Sequence, residues 1–128
     1  MNAKCERLCV VMPVYNEEEA IITVLSKWTS MLNALGVDYE LHAYNDGSTD
    51  NTLSLMRGFA DRNSHVHIYD KKNSGHGPTL VLAYKNALNK NFDWIFQVDS
   101  DDEMSPEGFP SLWKLRNDYD FIVGRLED

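Results

Sequence analysis

Several residue types that would mark other classes of protein are scarce in this sequence. Its 128 residues include only two cysteines, Cys5 and Cys9, which is too few for a disulfide framework or a zinc site. Twelve lysines and arginines against 20 aspartates and glutamates give a net charge of −8, which argues against a nucleic-acid-binding surface. The chain also lacks an apolar stretch of the roughly 20 residues that a membrane helix needs, and its start lacks the features of a signal peptide. These absences predict a cytoplasmic protein.

The acidic residues that are present are concentrated late in the chain. Four acids occupy five positions from Asp99 to Glu103, directly after the apolar run Trp94–Phe96. Two carboxylates about 4 Å apart repel by roughly 4 kcal/mol at the effective dielectric near a protein surface. The cluster therefore needs either free water, as in a solvated turn, or a bound cation.

Apolar runs alternate with helical stretches along the whole chain, and a hydrophobic content of 43% is enough for one domain with a core. The four predicted helices start after an Asn16 cap with Glu17–Glu19 in the first turn, at a Thr49 or Asp50 cap, at Pro78, and after Pro110. The first three helices are expected to end at about Gly36, Arg62 and Asn89, and no end is assigned to the fourth. The five predicted strands are "LCVVMPV", "YELHAYN", "HVHIY", "DWIFQV" and "DFIVG". This order predicts an α/β fold with a doubly wound, mostly parallel sheet.

Polar clusters follow three of these predicted strands. Residues 15–17 follow the first strand, residues 45–47 the second, and residues 99–103 the fourth. Ligands of doubly wound sheets bind outside the carboxyl ends of the strands, so we expect the three clusters to converge on one edge. On an extended strand end, Asp99, Asp101 and Glu103 would point to one side and could share a metal ion.

The ordered motifs carry a resemblance to a known family. The segments "VVMPVYNEEE", "NDGSTDNT", "NSGHGPTLVLAYKNAL", "FQVDSDDEMSPE" and "DFIVGR" occur in the order seen in inverting GT-A-fold glycosyltransferases. The pattern is most similar to dolichol- and polyprenyl-phosphate sugar synthases, and it runs from about residue 7 to residue 125. Each motif alone is weak evidence, whereas the ordered set is strong. Asn45 stands where the family usually has aspartate, and Glu103 where this branch often has glutamine.

The resemblance implies roles for individual residues. The donor would be a UDP- or GDP-linked sugar, with Asp46 accepting a ring N–H of the base and Tyr15 stacking on it. Asp99-Ser100-Asp101 matches the "DxD" signature for Mg²⁺ or Mn²⁺, and Arg125 resembles a position near an acceptor phosphate. The implied nucleotide-binding residues are Pro13, Tyr15, Glu17, Asp46, Gly75 and Asp99, and the implied metal ligands are Asp99, Asp101 and Glu103.

Two functions from different classes are consistent with the sequence. The first is metal-dependent, inverting sugar transfer to a polyprenyl phosphate or a growing glycan, by a protein in the cytoplasm or peripheral to the cytoplasmic membrane face. The second is a nucleotide-sugar-binding module without transfer activity. The second has weight because residues 1–128 are expected to form only the donor-binding portion of the domain, and no catalytic base is evident in them.

Several of these sequence patterns also have an explanation that involves no ligand. "DGSTD" alone is most often a turn followed by a helix cap. His65 and His67 could chelate a metal across a strand, but a solvated strand face is the more common reason for this spacing. The spacing does not match a calcium-binding loop, because counting from Asp99 puts Met104 where its glycine belongs and Pro110 where its glutamate belongs.

Overall fold

A parallel β-sheet forms the centre of the part of the protein that the structure describes. The computed structural model describes residues 6–101, 105–116 and 118. Its four strands are β1 (Arg7–Val14), β2 (Asp38–Asp46), β3 (Val66–Lys71) and β4 (Trp94–Gln97), and their order in the sheet is β3-β2-β1-β4. Its α-helices are α1 (Ile21–Leu35), α2 (Thr52–Ala60), α3 (His76–Asn89) and α4 (Phe109–Lys114), with a 3₁₀ helix over Pro106–Gly108. The predicted α/β fold is confirmed, and the predicted fifth strand lies outside the described residues.

The first apolar run forms a central strand because both of its faces are covered. Leu8, Val10 and Met12 pack into one core cluster with the buried side chains of α1, whereas Cys9 and Val11 pack into a second cluster with α3. Side chains alternate between the two faces of a strand, so a strand buried on both sides is a continuous apolar run. This double coverage is the layer arrangement of a doubly wound fold.

An aromatic group holds the segment after the acidic cluster against the core. Trp28 of α1 lies with its ring centroid 5.8 Å from that of Phe96 and 6.1 Å from that of Phe109. The Phe96 and Phe109 rings are 4.8 Å apart in an edge-to-face arrangement, one of the geometries that aromatic pairs prefer. The start of α4 is therefore fixed relative to β4, which the acidic residues follow.

The start predicted for α1 is wrong by several residues. The helix begins at Ile21, and Glu17–Glu19 precede it rather than form its first turn. Asn16 does not cap it, because this residue has a positive φ of 50° and its side chain accepts a hydrogen bond from the Thr49 N–H (2.8 Å). A contact between two loops thus replaces the local cap. The predicted end is confirmed, since Gly36 terminates α1 with φ 74°.

Smaller corrections apply to the other helices. α3 begins at His76, two residues before Pro78. Asn51 is the residue that directly precedes α2, but Asp50, one of the two predicted caps, accepts a hydrogen bond from the Thr52 N–H. α4 runs through Pro110 instead of following it. Proline is tolerated there because the first turn of a helix has no internal acceptor for its N–H groups.

None of the helices within the described ranges is long and apolar enough to cross a membrane.

Candidate functional site

One cavity of about 510 Å³ lies at the carboxyl edge of the sheet. Its walls come from the ends of β1 and β2, from the loop after β3, and from the residues after β4. Since β1 lies between β2 and β4, the strand order brings the three polar clusters of the sequence together. Residues expected at a site that do line this cavity are Pro13, Tyr15, Glu17, Asp46, Gly75, Asp99 and Asp101. Glu103 and Arg125, the remaining two, lie outside the described residues.

The Asp46 carboxylate accepts three hydrogen bonds at the cavity wall. One carboxylate oxygen, Oδ1, accepts hydrogen bonds from Lys71 Nζ (2.6 Å) and from the Ser74 N–H (2.8 Å). The other oxygen, Oδ2, accepts from the Gly75 N–H (3.0 Å). The residue is only 5% exposed, so these donors compensate for the water that the carboxylate has lost. Asp46 therefore holds the loop of residues 72–75 in place.

These donors also set the protonation state of Asp46. Burial raises the pKa of this carboxyl, but the Lys71 ammonium and the N–H groups of Ser74 and Gly75 outweigh burial and lower the pKa below its ordinary value. Asp46 is therefore ionised at neutral pH. An ionised carboxylate at the cavity wall is an acceptor for a ligand N–H.

Gly47, directly after Asp46, permits the close approach of the same loop. Its φ of 68° lies in the left-handed region, and a Cβ added there would be 2.7 Å from the Asn73 backbone nitrogen. Asn73 also donates from Nδ2 to the Asp46 carbonyl oxygen (2.9 Å). Only glycine fits this position without a shift of the backbone.

Tyr15 presents an apolar surface to the cavity. The residue is 48% exposed, whereas its neighbours Pro13 and Val14 are buried. Tyr15 therefore does not serve mainly to cover the core. A half-exposed aromatic ring and an ionised carboxylate in one cavity offer a stacking surface and a hydrogen-bond acceptor to a planar polar ligand.

The surroundings of Glu17, in the same cavity, shift its pKa in the opposite direction to that of Asp46. Burial raises the pKa of Glu17, and the nearby negative charges of Asp101 and Asp50 raise it further. Asp99 and Asp101 are both exposed and both line the cavity. β4 ends at Gln97, so Asp99 and Asp101 follow the strand rather than continue it, and the strand alternation expected to turn them to one side does not extend to them. Negative charge nonetheless gathers at this wall.

The donor set fits a hard divalent cation that takes part of its coordination from a ligand. Within the described residues, no group of three or more His, Cys, Asp or Glu side chains is arranged to hold a metal. Asp99 and Asp101 supply two carboxylates, and magnesium sites often use one or two carboxylates together with substrate phosphates. Glu103 is the predicted third ligand.

Four residues of this region were not among those expected at the site, although a signal for one of them, Lys71, existed in the sequence; the other three are Asn73, His76 and Ser100. Lys71 is the register partner of Asp46, because β2 and β3 are parallel and end side by side. Opposite charges at the ends of adjacent parallel strands predict such a pair. The third strand was expected to end at Tyr69, two residues before Lys71. The sequence prediction therefore did not place Lys71 next to Asp46.

His65 and His67 serve other contacts than a shared metal. His65 stacks on Tyr39 with ring centroids 4.3 Å apart, and its Nδ1 lies 2.8 Å from the Tyr39 carbonyl oxygen. His67 Nε2 lies 3.6 Å from Glu40. The two rings thus have separate partners.

Comparisons with known proteins agree with this geometry. The family model described as Glycosyl transferase family 2 matches residues 9–127. S. aureus TarS residues 1–349, solved with UDP-GlcNAc, is similar with a TM-score of 0.71 and 25% identity, covering 89% of this chain and 32% of that one. The mannosyltransferase PcManGT from Pyrobaculum calidifontis, solved with GDP-Man and Mn²⁺, has a TM-score of 0.61 and 22% identity, covering 73% of this chain and 27% of that one. The chain thus spans about a third of these solved chains or less.

Proposed function

The chain belongs to glycosyl transferase family 2 and has its GT-A fold, and we propose that its cavity binds the nucleotide-sugar donor of a glycosyltransferase. The observation that carries this proposal is the meeting of Tyr15, Asp46 and the Asp99–Asp101 pair around one cavity. A nucleoside diphosphate sugar has a planar base and a charged diphosphate. The cavity offers a different chemistry for each of these parts. The likeness to TarS, which was solved with UDP-GlcNAc, supports a nucleotide sugar as the ligand.

The base is proposed to bind between Tyr15 and Asp46. The exposed ring of Tyr15 would stack on the base, and the ionised Asp46 would accept a hydrogen bond from a base N–H. Because Gly75 and Asp46 are hydrogen-bonded to each other, the loop of residues 72–75 is held against the same part of the ligand. Pro13 and Glu17 complete the proposed nucleotide-binding residues.

The diphosphate is proposed to lie near Asp99 and Asp101, which would hold Mg²⁺ or Mn²⁺ with Glu103. A divalent cation there supplies positive charge against the leaving diphosphate. The two aspartates keep that charge at the cavity wall, and without it they would repel an anionic ligand.

Sugar transfer is proposed to invert the anomeric carbon and to use a polyprenyl phosphate or a growing glycan as acceptor. A phosphate acceptor is already anionic and needs no general base, whereas a sugar hydroxyl does. Arg125 is proposed as a contact for an acceptor phosphate. The alternative, a donor-binding module without transfer activity, predicts nucleotide-sugar binding without turnover on either acceptor.

A thermal-melt experiment tests the donor site. UDP and Mn²⁺ should each raise the Tm slightly and together raise it by more than the sum, because each ligand increases the affinity for the other by the same factor. Asp101→Asn should abolish this excess. Asp61→Asn is the matched control, since Asp61 follows the far end of α2. Independent, additive shifts in the wild type would refute a shared cation and nucleotide site.

A further inference from the structure

The number of acceptor positions left on Asp46 limits which base can bind it. An ionised carboxylate offers about four lone-pair directions, two on each oxygen. Lys71 Nζ and the Ser74 N–H take both directions on Oδ1, and the Gly75 N–H takes one on Oδ2. One direction therefore remains, and it is on Oδ2.

Lys71 is held in this arrangement and cannot easily turn away. Its ammonium group has three hydrogens, and three acceptors surround it: Asp46 Oδ1, the Lys72 carbonyl oxygen (2.8 Å) and Ser74 Oγ. The side chain is 16% exposed, and Lys71 and Asp46 are paired across the β2–β3 ladder. The occupied Oδ1 is thus part of the folded sheet edge.

Nucleobases differ in what they present to a carboxylate. Uracil offers a single ring N–H between two carbonyl groups. Guanine offers a ring N–H with an amino N–H beside it, and this pair of parallel donors matches both oxygens of a bare carboxylate, as an arginine fork does. Cytosine and adenine present a ring nitrogen lone pair next to the amino group, which a carboxylate repels. One free acceptor direction suits uracil, whereas guanine is left with an unpaired donor.

We propose that the cavity selects uracil over guanine and that Lys71 is the specificity-determining residue, because it occupies the second oxygen of Asp46. Lys71 acts through Asp46 and does not itself contact the base. The proposal rests on the proposed function, since it assumes that the base lies against Asp46. Of the two proposed donors, UDP-linked and GDP-linked sugars, it selects the UDP-linked sugar.

The first test compares three nucleotides on the wild-type protein by titration calorimetry at one fixed Mn²⁺ concentration. UDP should bind about 5- to 100-fold more tightly than GDP, which is the range expected for one donor left without its partner. IDP has the ring N–H of guanine but lacks the 2-amino group, so it should bind more tightly than GDP despite its equal ring size. GDP binding as tightly as UDP, or IDP binding no better than GDP, would overturn the proposal.

The second test moves the specificity itself. Lys71→Met frees one direction on Oδ1 and should shrink the UDP-to-GDP affinity ratio by about tenfold, whereas Lys72→Met, at the exposed neighbouring position, should leave the ratio unchanged. The loss of a positive charge affects all three diphosphates alike and cancels in the ratio. An unchanged ratio in a folded Lys71→Met protein would overturn the role of Lys71, and the wild-type comparison still decides the matter if that variant does not fold. Absence of binding by all three nucleotides would instead refute the proposed function, and the inference with it.

Discussion

Gly47 is required at the cavity edge for two reasons, its left-handed backbone and its close contact with Asn73. Replacement of single glycines by alanine should separate the energetic costs of the two. Gly47→Ala places a methyl group at a φ of 68°, and its Cβ would lie 2.7 Å from the Asn73 nitrogen and 2.8 Å from the Asn73 Cβ. A left-handed φ costs an L-residue roughly 1–2 kcal/mol. Carbon atoms pack best at about 3.5–4.0 Å, so the contact adds an overpacking cost of about 1–3 kcal/mol. The expected loss in the free energy of unfolding is about 2–5 kcal/mol.

Two other glycines provide matched controls for this value. Gly36 has a similar φ of 74°, but nothing lies within 4 Å of an added Cβ, so Gly36→Ala should cost only the backbone contribution of about 1–2 kcal/mol. Gly58 lies inside α2 with equally open surroundings, and Gly58→Ala should stabilise the protein by about 0.5–1 kcal/mol because alanine is the better helix former. Urea unfolding followed by tryptophan fluorescence measures all three differences, since Trp28 is buried in the core.

Nucleotide binding provides a second measurement on the same variants. Gly47→Ala should weaken UDP binding, because displacement of Asn73 disturbs the loop whose N–H groups hold Asp46. Gly36→Ala should leave UDP affinity unchanged, since Gly36 precedes the amino end of β2, at the opposite edge of the sheet. Equal destabilisation by Gly47→Ala and Gly36→Ala would show that the loop moves aside at little cost, and the close approach would then not constrain the site.

Three further predictions concern ionisable groups. The wild type should be more stable than Asp46→Asn, with the full difference in the free energy of unfolding present above pH 3.8, the ordinary pKa of aspartate. This difference should be lost as the pH falls through the lowered pKa of the folded state. Urea unfolding measures it, and the same pH profile for both proteins would contradict the prediction. Burial raises the pKa of the Cys9 thiol to about 12, so iodoacetamide at pH 8 should label it only in the unfolded protein, as peptide mass mapping would show. Burial lowers the pKa of His42 against the opposing hydrogen bond to Glu40, so the unfolded state takes up protons first and stability should fall from pH 7.5 to 5.5. His42→Phe should lose less stability over that interval, and an equal loss would place the pH dependence elsewhere.

The parts of the fold that sequence could predict are those set by local patterns. The continuous apolar run of β1 indicated a strand covered on both faces, and Gly36 marked the end of α1 through its left-handed backbone. The convergence of three polar segments followed from the rule that parallel strands end at a common edge. These inferences needed only the order of the elements and not their precise contacts.

The parts that sequence could not predict depend on contacts between distant loops. Asn16 is a good helix cap by residue type, but its side chain binds the Thr49 N–H, and the Glu17 N–H donates to Thr52 Oγ1 (2.9 Å), so α1 begins later. The bonds from Ser74 and Gly75 to Asp46 likewise depend on the path of the loop after β3. Tertiary hydrogen bonds outcompeted local preference in each case.

Asp46 and Asp101 lie in different electrostatic surroundings within one cavity. This difference explains why metal binding and nucleotide binding should each strengthen the other. Asp46 has a lysine and two backbone N–H groups around its charge, so it can face a neutral base without a cation. Burial raises the pKa of Glu17, and the negative charges of Asp101 and Asp50 raise it further, so negative charge gathers at this wall. A diphosphate brought within about 4 Å of such a carboxylate would be repelled by roughly 4 kcal/mol per pair of charges at an effective dielectric of 20. A cation that reverses this repulsion strengthens phosphate binding, and by linkage the phosphates strengthen cation binding to the same degree.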